Sequence, residues 1–117
     1  MKKEKNMKEI TDEFMKEMMM KTKEYTVVIL KATEKIKESG TDKIIWEHGR
    51  RNFGLREEGI LSIVCPIRDG SSITGVGVFN RTPDETKEIM DGDPGVIAGI
   101  FSYEIHASRS FPGDTLP

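Results

Sequence analysis

Cysteine is nearly missing. Cys65 is the only one in 117 residues, so no disulfide can form within the chain, and a reducing cytoplasm is the expected compartment. Positive charge is not in excess either: 18 Lys and Arg stand against 20 Asp and Glu. A formal charge of −2 provides no basic footprint of the kind that nucleic acid or anionic lipid attracts. No apolar run approaches the roughly 20 residues of a membrane helix. The first twenty residues alternate charge with methionine and lack the unbroken apolar stretch of a signal peptide. CxxC, HExxH, P-loop and GxGxxG patterns are all missing, which removes the strongest signals for a metal or nucleotide. No cofactor, metal, nucleic-acid or membrane partner is therefore expected.

What is present reads as a soluble domain. Hydrophobic residues make up 36% and charged residues 32% of the chain, which suits one domain with a real core and is too short for two. Residues 1–24 read as an extension, disordered over 1–6. Met7 to Lys21 is predicted helical, with Met7, Ile10, Phe14, Met15 and Met18 forming a stripe that would dock on the domain or on a partner chain. Residues 25–117 form the domain. Tyr25–Lys31 is a strand apolar on both faces, Val27 and Ile29 on one and Val28 and Leu30 on the other. After a polar connector, Thr41 or Asp42 caps a helix that ends near Gly59. A strand over 60–67 places Leu61, Ile63 and Cys65 opposite Ile60 and Val64. Asp69-Gly70 marks a hairpin, and a strand over 72–80 follows. Thr82-Pro83-Asp84-Glu85 is a capping box with proline at the first helical position. The last strand spans 99–107.

That order, β-α-β-β-α-β after the first helix, predicts an α+β, ferredoxin-like sandwich with a four-stranded antiparallel sheet and an extra N-terminal helix. Such a sheet carries helices on one face. Strands apolar on both sides then call for a cover, most simply a second copy packed face to face as a homodimer. The N-terminal helix is the other candidate cover.

His48 is one of two histidines in the chain. At roughly 100° per residue it falls in the inward arc with Ile44, Ile45, Asn52 and Leu55. Asp93, extended because it precedes Pro94, is an N-cap for a short turn through Ile97 and retains acceptor capacity for an imidazole N–H. The pair is either a buried structural hydrogen bond or a working dyad. Gly75 and Gly77 share one strand face, leaving space for a ligand or for close backbone packing. Arg51 borders the His48 arc and either meets an anionic substrate or faces solvent. Cys65 is either a small buried hydrophobe or a nucleophile. His106 reads as a surface residue of the last strand.

From Tyr25 onward the chain resembles the YCII-related (YciI-like) family. The residues that carry the likeness are His48 with Leu55 and Gly59 after it, Pro66 closing a strand, DPGVIAG at 93–99, and the tail FPGDTLP. The resemblance implies a dimeric α+β barrel in which His48 and Asp93 form an active-site dyad beside a cleft. Cys65 stands where relatives usually carry glycine, and residues 106–108 lack an aromatic often found there; both would reshape the cleft. The expected function is a small-molecule enzyme without a cofactor, of lyase or isomerase type, in which His48 and Asp93 move a proton. Arg51, Cys65, Gly75 and Gly77 are the expected substrate-binding residues. The alternatives are a non-catalytic dimeric module that binds or senses a small molecule, and a purely structural pair.

Overall fold

The computed structural model describes residues 7–117; the expected disorder of residues 1–6 lies outside them. Two compact units are present among the described residues, one from Glu24 to Arg109 and one formed by residues 7–23 together with Ser110–Pro117. In the smaller unit, α1 spans Asp12–Met19. It starts later than the Met7 expected from its stripe, because Thr11 is extended and its hydroxyl accepts the Phe14 amide at 3.1 Å, which sets the N-cap there. No α1 residue is buried. Ile10, Phe14, Met15, Met19 and Met20 are exposed.

The larger unit holds all of α2 (Thr41–Glu57), β2 (Leu61–Pro66), β3 (Ile73–Phe79), α3 (Pro83–Asp91) and α4 (Pro94–Ile97), and, but for one end residue each, β1 (Lys23–Ala32) and β4 (Phe101–Ser110), with a 3₁₀ turn at Glu34–Lys37. The strands form one antiparallel sheet in the order β2-β3-β1-β4. This is the ferredoxin-like arrangement read from the sequence. Along β1, Thr26, Val28 and Leu30 are buried, while Val27 and Ile29 are half-buried on the other side. With Leu61, Phe79, Met90, Ile100 and Phe101, the buried Val28 and Leu30 make the core, each side chain contributing about 1.5–3 kcal/mol. Buried Thr26 is satisfied by donating to the Arg81 carbonyl at 2.8 Å.

Two local expectations are corrected. The cap of α2 is neither Thr41 nor Asp42 but Gly40, at φ 85°. Thr41 is already the first helical residue, and its hydroxyl donates backward to the Ile36 carbonyl at 3.0 Å. The second correction concerns β2. Its register against β3 shifts between Leu61 and Ile63, and this bulge reverses the side-chain alternation. Leu61, Val64 and Pro66 therefore share the helix-facing side, and Ile63 and Cys65 the outer one.

Elsewhere the local chemistry follows the residues. Gly59, at φ 75°, closes α2 in a Schellman motif: its amide donates to Arg56 and that of Ile60 to Leu55, both at 3.0 Å. The Thr82–Glu85 capping box is complete. Among the described residues no helix is long and apolar enough to cross a membrane.

Candidate active site

Asp93 sits between α3 and α4 with an extended backbone, as the residue before proline should. Its Oδ2 accepts the amides of Gly95 at 2.9 Å and Val96 at 3.2 Å, closing the first turn of α4. Its Oδ1 lies 2.7 Å from His48 Nδ1. The side chain is only 1% exposed. Burial works against ionisation, but the hydrogen bond and charge of His48 and the amides of Val96 and Gly95 outweigh it. The carboxyl is held below the ordinary aspartate value.

An ionised carboxylate can only accept, so whenever the His48 ring is neutral Nδ1 carries its proton and Nε2 presents a lone pair. Asn52, one turn further along α2, places Nδ2 3.3 Å from that lone pair. Phe101 packs against the ring, with centroids 4.8 Å apart at 57°. Gly95 makes that packing possible. A Cβ there would stand 2.3 Å from Phe101 Cδ2 and 3.1 Å from Asp93 Oδ2, so the glycine of the Asp-Pro-Gly turn is required by close approach. At 13% exposure the imidazole is screened but reachable.

The imidazole opens on a cavity of about 340 Å³, lined by α2 and the inner face of the sheet. Its floor includes Val28, Leu30, Leu61, Phe79, Met90 and Phe101, which are also core residues. The register explains the space. Gly75 pairs with Leu30 and Pro66, and Gly77 with Val28 and Val64, so two adjoining inward positions of the central strand carry no side chain. A Cβ on Gly75 would meet only ordinary contacts, whereas one on Gly77 would press on Leu61 and Phe79 at 3.1 and 3.3 Å. Gly77 thus serves packing, and Gly75 leaves room.

Of the residues singled out from the sequence, His48, Gly75 and Gly77 line the cavity and Asp93 stands behind His48. Arg51 and Cys65 do not line it. The Arg51 guanidinium lies against Gly92. Cys65 is exposed rather than buried, on the outer face to which the β2 bulge sends it. Sequence reasoning placed Asn52 on the inward arc without giving it a role and passed over Arg56; both line the cavity. The row His48, Asn52, Arg56, with steps of four, was the signal. Among the described residues no group of three His, Cys, Asp or Glu side chains gathers to hold a metal ion.

No family model matches the chain. No curated protein matches it either. Among solved structures, it is similar to the 5-chloro-2-hydroxyhydroquinone dehydrochlorinase (TftG) of Burkholderia phenoliruptrix, determined in complex with 2,5-dihydroxybenzoquinone. Identity is 13%, the TM-score 0.47, and the match covers 70% of this chain and 90% of that one.

Proposed function

We propose that the protein is a small-molecule enzyme without a cofactor, of lyase or isomerase type, in which His48 is the general base and Asp93 its positioning partner. The observation that carries this reading is the buried Asp93–His48 hydrogen bond of 2.7 Å on an imidazole that lines an apolar cavity. Asp93 holds the proton on Nδ1, leaving Nε2 to take one from a substrate carbon. In an elimination, the C–H electron pair becomes a new C=C bond and the leaving group departs from the adjacent carbon with its own electron pair. In an isomerisation, the imidazolium returns the proton to a different carbon. Either way the cation that forms on His48 faces the Asp93 carboxylate, so the charge of the transition state is met by a group already in place. Asn52 Nδ2, 3.3 Å from Nε2, is placed to hydrogen-bond an oxygen on the carbon next to the one that gives up its proton.

The YCII-related resemblance supports this reading through His48, Asp93 and the Asp-Pro-Gly turn. Homodimerisation through the outer sheet face and a cytoplasmic location belong to the same proposal. The test is proton exchange: a panel of carbonyl-activated carbon acids in D₂O, followed by proton NMR with wild type and His48→Ala. Wild type is expected to catalyse exchange or elimination on some member of the panel. His48→Ala should lose about 10²–10⁴-fold of that rate while melting cooperatively. Indistinguishable rates across a panel whose members demonstrably bind would leave a non-catalytic binding module.

A further inference from the structure

The electrostatics of the cavity are one-sided. Besides His48, the polar side chains on its wall are Asn52, Thr74 and Arg56. No aspartate or glutamate lines it, although the chain has 20 of them, and Asp93 is shielded behind the imidazole. Arg56 has no ion-pair partner among the described residues. Its guanidinium lies 5.6 Å from the centre of the Phe53 ring, a contact that orients the cation without neutralising it. Phe53 is itself 65% exposed, an arrangement suited to the rim of a site rather than to packing.

We infer that the cavity takes a small organic monoanion, with an apolar body on the floor and a carboxylate-type head on Arg56. Arg56 is then the specificity-determining residue. A planar guanidinium gives a carboxylate two parallel hydrogen bonds, which a lone ammonium cannot match. His48 and Arg56 lie eight residues apart on α2, at roughly 1.5 Å each, about 12 Å along the axis. The long arginine side chain shortens the gap but does not close it. The anionic head therefore sits several bonds from the atom that faces Nε2, as in an arylalkanoate. About 340 Å³ is near the lower end of ligand-site volumes and accommodates a single ring with a short chain. A cation of the same shape finds no carboxylate to meet it.

This inference rests on reading the cavity as the ligand site, and not on His48 being a base. Its test uses three isosteric probes, 3-phenylpropanoate, 3-phenylpropanamide and 3-phenylpropylammonium. Each is titrated into the full chain and followed through the backbone amide signals of Gly75 and Gly77. The carboxylate is expected to bind at least about tenfold more tightly than the amide, with the ammonium weakest. Arg56→Gln should abolish the carboxylate's advantage over the amide; Arg56→Lys should keep part of it. Equal affinities in wild type, a preference that survives Arg56→Gln, or no response to any probe would overturn the inference. The charge preference is read from binding alone and proton transfer from exchange in D₂O, so the two results can fail independently.

Discussion

Asp93 does two jobs with two oxygens, capping α4 with one and holding His48 with the other. Its pH dependence has a definite sign. The folded pKa is depressed below the ordinary 3.8, so in that window the unfolded chain binds more protons and stability rises with pH. The contribution is complete above the unfolded value and is lost as pH falls through the folded one. Asp69, Glu85, Asp91 and Glu104 are shifted downward too, but their side chains are open to solvent and such pairs count for little. Asp93 should therefore dominate. Thermal melts of wild type and Asp93→Asn are expected to differ by a constant amount above about pH 4 and to converge only as pH falls further, through the lower folded value. A gap that does not change with pH would show that the carboxylate's charge adds nothing to stability.

Helix α2 carries two interior glycines, and they separate packing from function. Neither Gly49 nor Gly54 has anything within 4 Å of a built Cβ, but only Gly49 lines the cavity. Each replacement by alanine should raise stability by about 0.8–1 kcal/mol in denaturant unfolding. Gly49→Ala alone should weaken ligand binding. The same helix shows what sequence periodicity can and cannot reach. It located the inward arc of His48, Ile44, Ile45, Asn52 and Leu55, because burial follows the 3.6-residue period. It did not show that the cavity occupies one flank of that arc. At roughly 100° per residue, Asn52 and Arg56 lie to one side of His48, and Arg51 to the other, towards Gly92. Capping at Thr82 was legible because all its donors and acceptors are adjacent in sequence. The cap of α2 was not, since Thr41 is drawn to Ile36, whose carbonyl is placed by the 3₁₀ turn. The β2 bulge escaped for a related reason: strict alternation assumes one residue per pair, and nothing within β2 marks the extra one. Cys65 was accordingly assigned the wrong surroundings.

At the scale of the whole molecule, the sheet's outer face is an aliphatic surface. Val27 and Ile63 both pair with Val78, and Ile29 and Cys65 with Val76; the aliphatic members are half-buried and Cys65 is exposed. If two copies pack here, sedimentation equilibrium should return twice the 13.2 kDa chain mass. Val78→Lys should return a single one with circular dichroism unchanged. A monomeric wild type would remove this part of the proposal.

The inner face has a different lesson, in the identity of its floor with the core. Val28, Leu30, Leu61, Phe79, Met90 and Phe101 hold the domain together and also shape the space beneath α2. Any mutation that reshapes the floor to admit a new ligand also taxes the fold. The roof is under no such constraint: Phe53 and Arg56 are exposed, and Gly49 and Asn52 are only half-buried. A lineage of such proteins would therefore diversify through α2, keeping an inherited floor under an adaptable roof, and a redesign of the site should start there.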